Sequence, residues 1–156
     1  MTLVGLISDT HGLLRREVLD VLRGSDFIIH AGDIGSPAIL EELRRLAPVI
    51  AVRGNNDQDS WAGSLPALAS LVVQTTRILV IHDLKALVPT PASTEVQVVI
   101  SGHSHRPGYV EREGVLFINP GSAGPRRFRL PVACGRLMIA GKDVVPELCR
   151  FEPVAK

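Results

Sequence analysis

The first third of the chain alternates short apolar runs with amphipathic stretches. Leu3-Val4-Gly5-Leu6-Ile7 is an unbroken apolar run, the pattern of a strand buried on both faces. Leu14, Val18, Val21 and Leu22 then recur at i, i+4, i+7 and i+8, which predicts a helix that Gly24 stops. Phe27-Ile28-Ile29 reads as a second buried strand. A second helix opens with Ser36 as N-cap and Pro37 at the first helical position, and runs to about Ala47 before Pro48. Val49-Ile50-Ala51-Val52 is a third strand. The order β-α-β-α-β implies a parallel sheet with right-handed crossovers.

The second half is strand-rich. Leu71 to Val73, Ile78 to Ile81 and Val96 to Ile100 are strand candidates, with a loop holding Pro89 and Pro91 before the last. Tyr109 to Glu111 and Val115 to Ile118 read as a hairpin across Arg112-Glu113-Gly114. Two final strands, about Val132 to Ala140 and Val144 to Phe151, are joined at Gly141-Lys142-Asp143. With no repeat, low-complexity tract or boundary, residues 1–156 are expected to form one α/β domain.

The polar residues at the ends of the apolar runs carry more information than the runs themselves. They are side chains able to ligate metals: Asp9 and His11, Asp33, Asn55, His82, then His103 and His105. Four of the 5 histidines stand at such ends, which random core placement does not produce. Open α/β sheets bind ligands at the carboxyl ends of their strands, so these residues are expected to converge on one sheet edge. Imidazole, carboxylate and amide donors suit borderline and hard cations. Seven such donors are too many for one tetrahedral zinc and suit two ions sharing a carboxylate.

Composition narrows the function classes. Hydrophobic residues make up 46% and charged residues 21%, as in a globular protein with a core and unlike a disordered tail. Seventeen basic against 16 acidic residues leave a net charge of +1, so no extended nucleic-acid groove is evident. The 2 cysteines, Cys134 and Cys149, lie in apolar segments and read as reduced core thiols. No apolar run nears the ~20 residues of a membrane span, and the chain starts directly in a strand without a charged leader. A cytoplasmic protein is expected.

Asp9-Thr10-His11, Gly32-Asp33, Gly54-Asn55-Asn56-Asp57, His82 and Gly102-His103-Ser104-His105 occur in the order of the motifs of the calcineurin-like metallophosphoesterases, which the chain resembles over residues 1 to about 124. The short length and Asn119-Pro120-Gly121-Ser122 are similar to the family's small prokaryotic phosphodiesterase branch. The resemblance implies an αββα sandwich with a βαβαβ first half. It implies a divalent-metal-dependent phosphodiesterase acting on a small or exposed phosphodiester by in-line attack of a metal-bridging hydroxide. One ion would be held by Asp9, His11 and His105 and the other by Asn55, His82 and His103, with Asp33 as the catalytic bridge. Mn²⁺ is the expected ion, with Fe, Zn and Ni open. The same fold serves as a protein scaffold in a retromer subunit, so the alternative is a scaffold or binding protein with little activity. The complete ligand set favours the enzyme.

Asn56 departs from the pattern. Many members carry a histidine there, proposed to protonate the leaving group, although the small prokaryotic branch commonly lacks it. An amide cannot be a general acid near neutral pH; it can bind a phosphate oxygen, and Asn56 is expected to do so. Losing a general acid removes ~10²–10⁴-fold for poor leaving groups, so aryl and activated diesters are expected to turn over better than alkyl ones.

Other residues keep two readings each. His30 is a packed core histidine or a support behind a ligand. Asp83, where the family often has Gly, faces solvent or backs a ligand. Trp61 stacks on substrate or packs against the domain. Asn119 to Ser122 is a plain loop or a border of the site. Arg126-Arg127-Phe128-Arg129 reaches a substrate phosphate, is a solvated face, or forms a subunit contact. Exposed C-terminal strands make a homodimer an expectation as well.

Overall fold

Continuous apolar runs need cover on both faces, and a stack of two sheets with helices outside supplies it. The computed structural model describes residues 1–87, 95–127 and 129–151. The first sheet contains β1 (Thr2–Ile7), β2 (Phe27–His30), β3 (Val49–Ala51), β9 (Val132–Ala140) and β10 (Asp143–Phe151), in the order β10-β9-β1-β2-β3. Parallel pairing sets Val4 opposite Phe27 and Ile7 opposite His30, so the polar segments after β1 and β2 leave the sheet side by side. The crossovers carry α1 (Arg16–Leu22) and α2 (Pro37–Arg44). Helix α2 begins as expected: Pro37 opens it and the Ser36 hydroxyl accepts the Ala38 N–H at 3.1 Å.

Both helices are shorter than the apolar period suggests. α1 starts at Arg16, but Leu14 still packs against the helix-facing core. α2 ends at Arg44, and the Leu46 and Ala47 amides still donate to the Leu43 carbonyl.

The second sheet holds β4 (Leu68–Val73), β5 (Thr76–Ile81), β6 (Val98–Ile100), β7 (Gly108–Arg112) and β8 (Val115–Asn119), in the order β4-β5-β6-β8-β7. β5, β6 and β8 run parallel; β4 and β7 pair antiparallel at the edges. The Pro89 and Pro91 loop lies outside the described residues. Val4, Leu6, Ile29, Leu137 and Ile139 of the first sheet meet Ile78, Val80, Val98, Ile100 and Ile118 of the second in a fully buried core. Ile7, Ile28 and Cys134 face the other way, onto Val18 and Leu22 of α1 and Leu40 and Leu43 of α2. The outer face of the second sheet carries Val99, Val115 and Phe117, with Leu87 from beside the 3₁₀ turn Leu84–Ala86 laid against them.

The two-sheet sandwich is the αββα arrangement that the resemblance implies, and it corrects only the expectation that the ligand-bearing ends share one sheet edge. Between β3 and β4 the chain makes only the 3₁₀ turn Ser60–Ser64, with no helix to return it alongside β3. It instead starts a second sheet, so His82, His103 and His105 approach from the sheet opposite Asp9, Asp33 and Asn55. No helix among the described residues is long and apolar enough to cross a membrane.

Candidate metal centre

The two stacked sheets end together, and the polar segments leaving them converge. Asp9, His11 and His105 offer ligand atoms within 4.8 Å of one another, and so do Asp33, His82 and His103. Asn55 joins the second trio through its Oδ1, 3.2 Å from His103 Nδ1. Asp33 Oδ2 lies 3.2 Å from His82 Nε2 and 3.9 Å from His11 Nε2, facing both groups. Asp9 Oδ1 stands 3.3 Å from His105 Nε2, 3.7 Å from His11 Nε2 and 3.8 Å from His82 Nε2. All seven candidate ligands are therefore close together.

Hydrogen bonds leave Asp9 Oδ1 and His82 Nε2 free. Asp9 Oδ2 accepts the Ser8 hydroxyl at 2.6 Å and the His103 N–H at 3.1 Å, whereas its buried Oδ1 has no hydrogen-bond partner. His82 Nδ1 donates to the Ala31 carbonyl at 2.8 Å, which fixes the tautomer and turns the Nε2 lone pair inward, also unpartnered. His82 Nε2 and Asp33 Oδ2 are then two acceptors 3.2 Å apart. Acceptors so placed repel unless a proton or cation sits between them, and donors sharing a small cation at ~2.1 Å stand about this far apart. The donor set thus fits divalent ions.

The proton affinities carry the same signature. Burial pushes the Asp33 carboxyl up, but a protonated His82 ring beside it, the Asn56 amide N–H and the charge of His11 bring it down to about 2. Burial opposes charge on His82, yet Asp33 and Asp9 outweigh it and raise its pKa. Burial lowers the pKa of His105; Asp9 opposes this while Arg127 and His11 add to it, so the ring is a neutral donor at pH 7.

Ligand placement imposes backbone strain. Asp9 (φ 54°), His11 (φ 45°), Asp33 (φ 56°), His103 (φ 70°) and His105 (φ 63°) all adopt the left-handed conformation. This costs a non-glycine residue about 1 kcal/mol or more, and it clusters where function demands a particular aim. It also answers how the alternating His103 and His105 reach different groups: neither is extended. The strain is held by bonds between the loops, Asp9 N–H to Gly32 O and His11 N–H to Asp33 O, both 3.0 Å. Two glycines permit the approach: a Cβ on Gly54 would strike the Asp33 amide, and one on Gly102 would strike the Ser8 hydroxyl.

Residues 2–142 match the calcineurin-like phosphoesterase superfamily domain. The chain belongs to that superfamily. It is 34% identical to a probable metallophosphoesterase of Methanothermobacter thermautotrophicus over 160 residues, covering 95% of this chain and 92% of that one. A phosphodiesterase of Methanocaldococcus jannaschii is 29% identical over 136 residues, covering 76% and 82%. In fold, the chain is similar to wild-type Vps29 of Entamoeba histolytica complexed with Zn²⁺, at a TM-score of 0.77 and 23% identity, covering 97% and 100%.

The remaining residues of this calcineurin-like centre fall into place around the ligands. Asn56 donates its backbone N–H to Asp33 Oδ1 at 2.9 Å and its side-chain Nδ2 to Oδ2 at 3.3 Å. His30 is fully buried and satisfied. Its Nδ1 accepts the Gly32 N–H at 3.1 Å, and its Nε2 lies 3.0 Å from the Thr10 hydroxyl, which itself donates to Ile34 O. Ser122 Oγ donates to the Asp9 carbonyl and Asn119 Nδ2 to the Gly102 carbonyl, each at 3.0 Å, so the Asn119 to Ser122 turn braces the site. Trp61 packs against the helix-facing core. Asp83 caps the Leu84–Ala86 turn through the Lys85 N–H at 3.1 Å, with Oδ2 at 3.9 Å from His103 Nε2. Arg127 shares a 170 Å³ pocket with His103 and His105, whereas Arg126 donates to the Leu130 carbonyl.

Asp57 has a role that its sequence context does not reveal, although it closes the Gly54 to Asp57 motif. Only 2% exposed, it accepts the N–H groups of Ile34, Gly35 and Gly54 at 3.0 to 3.1 Å. It ties the loop bearing Asp33 to the loop bearing Asn55. Three inward-pointing amides need a buried acceptor, but an acidic residue after two asparagines looks the same in sequence whether it points in or out.

Proposed function

We propose that this protein is a divalent-metal-dependent phosphodiesterase, with residues 1–156 acting as one catalytic domain. The observation that carries the reading is the set of unpartnered buried acceptors, Asp9 Oδ1 and His82 Nε2, aimed into the gap between the two trios. Asp9, His11 and His105 would hold one ion and Asn55, His82 and His103 the other, with Asp33 between them. Once bound, the two ions supply an activated water and neutralise charge on the phosphoryl oxygens.

The protein's own part is to fix that geometry and admit the substrate. Asn55, Asn56 and His103 are exposed, so the diester approaches from their side. Asn56 orients the Asp33 carboxylate and retains one amide hydrogen for a phosphate oxygen. No histidine occupies its place, so the leaving group departs without a protein acid there, and aryl or activated diesters are the better substrates. Arg127 lines the pocket on the His105 flank. Mn²⁺ is the proposed working ion, as the mixed N/O set suits it. A cytoplasmic location is part of this reading. β10 offers the free edge for a homodimer, testable by light scattering.

The test is hydrolysis of bis-p-nitrophenyl phosphate by chelator-stripped protein, with and without Mn²⁺, beside Asp33→Asn. Activity that requires Mn²⁺ and falls at least ~10²-fold in the variant is expected. No turnover with any divalent ion would favour the alternative, a binding protein on the fold shared with Vps29.

A further inference from the structure

The segment after β8 is tied to the loop that bears Asp9. The Ala123 amide donates to the Ser8 carbonyl at 3.0 Å and the Gly124 amide to the Asp9 carbonyl at 3.3 Å. A Cβ on Gly124 would strike the Thr10 carbonyl, so only glycine allows this approach. Arg15 holds the same point, its Nε and Nη2 each donating to the Gly124 carbonyl at 3.3 Å. Two arginines follow at once, and their surroundings differ. Arg126 donates its Nε to the Leu130 carbonyl at 3.3 Å, and the Leu130 amide donates back to the Arg127 carbonyl at 3.1 Å. The Arg127 guanidinium has no hydrogen-bond or ion-pair partner among the described residues. It lines the 170 Å³ pocket with His103, Ser104, His105 and Leu130, near enough for its charge to weigh on the His105 ring. None of these lining residues is an anion, so the folded chain leaves the charge uncompensated there. His105 belongs to one candidate ligand set and His103 to the other, so the pocket touches both. It is smaller than the ~300 Å³ at which sites for whole small molecules begin, and suits a phosphoryl group rather than an ester arm.

We infer that Arg127 is the substrate-binding cation of this site, its guanidinium holding the non-bridging oxygens of the phosphoryl group. The assignment rests on the phosphodiesterase reading and adds to it the side chain that places the phosphorus. A guanidinium directs two parallel N–H groups at two oxygens of one phosphorus, a geometry that a lysine cannot copy. Its fixed positive charge also opposes the negative charge that builds on those oxygens during displacement. Both effects act on the phosphoryl group and not on the arms, so they hold whichever alcohol leaves.

Methylphosphonate tests this without turnover, because it offers the phosphoryl oxygens and no arm to bind elsewhere. Titrated calorimetrically into Mn²⁺-loaded protein, it is expected to bind the wild type about tenfold tighter than Arg127→Ala, with Arg127→Lys between them. The Mn²⁺ affinities of the three proteins should agree, since Arg127 is not a ligand. A loss of Mn²⁺ affinity in Arg127→Ala would mean that the side chain only props the site, and would overturn the assignment. Arg106→Ala is the control for general charge. Arg106 lines the groove on the other flank of His103 and not this pocket, so its replacement should leave methylphosphonate affinity unchanged. An equal loss in both alanine variants, or no loss in Arg127→Ala, would overturn the assignment and leave the phosphodiesterase reading in place. Wild-type protein that holds Mn²⁺ but no methylphosphonate would overturn both. Arg127 is exposed, so its replacement leaves the core untouched.

Discussion

His30 shows how one side chain can support a metal centre without ligating. Burial drives its pKa down to about 3; the carboxylates of Asp57 and Asp33 oppose that, and the nearby rings of His82 and His11 reinforce it. The unfolded chain protonates this histidine near pH 6.5 and the folded chain does not, so between these values the unfolded state binds the extra proton. Stability is therefore lost as pH falls below 6.5, by about 2 kcal/mol between pH 7 and pH 5. His82 carries the opposite sign, its pKa being raised on folding, so the His30 contribution is read as a difference. In chelator-stripped protein, the unfolding free energies from urea titrations at pH 7 and pH 5 should differ by about 2 kcal/mol more for the wild type than for His30→Gln. An identical pH dependence in the two proteins would mean that His30 takes up a proton in the folded state.

At the level of elements, the site is a set of loops at the ends of parallel strands, and their mutual ties decide whether it forms. Asp57 is the strongest tie, accepting three N–H groups from two loops. Asp57→Asn removes the charge and turns an NH₂ group towards donors. It is expected to cost about 2–3 kcal/mol of stability and to raise the Mn²⁺ concentration needed for half-saturation at least tenfold. Asp59→Asn, on an exposed side chain with no capping bond nearby, should change neither. Metal titration of the two variants checks this. The contrast also separates what a sequence can reveal from what it cannot. The buried parallel strands and their ligand-bearing ends were legible because apolar runs and polar stops are local patterns. The division into two sheets came only through the family resemblance and not from the local pattern, because it depends on a connection that lacks a helix. The left-handed turns at His103 and His105 and the inward aim of Asp57 were not legible at all. Each depends on what a residue meets across the fold.

For the whole molecule, the centre is a joint between two sheets. Each trio draws a histidine from the second sheet to an aspartate of the first: His105 to Asp9, and His82 with His103 to Asp33. Without ions, this joint brings acceptor lone pairs face to face and holds five ligand residues at positive φ, all of it destabilising. The hydrophobic interface, from Leu6 and Ile29 to Val80 and Ile100, offsets that and keeps the sheets stacked. The metal-free chain is therefore expected to be folded but less stable than the loaded one, with its weakest point at the loop end of the sandwich. Ions that bind only the folded chain add about 2.7 kcal/mol at a hundred times their dissociation constant. For a chain of this size that raises Tm by roughly 5–10 °C. Thermal unfolding of stripped protein across a Mn²⁺ titration should show this rise. Asp33→Asn should lose most of it, since Asp33 Oδ2 faces both trios. Arg23→Ala, which alters only an exposed ion pair with Asp20, should keep it in full. A Tm indifferent to Mn²⁺ in the wild type would mean that the donors do not act as a joint. An equal rise in Asp33→Asn would show that the ions bind somewhere other than between the two sheets.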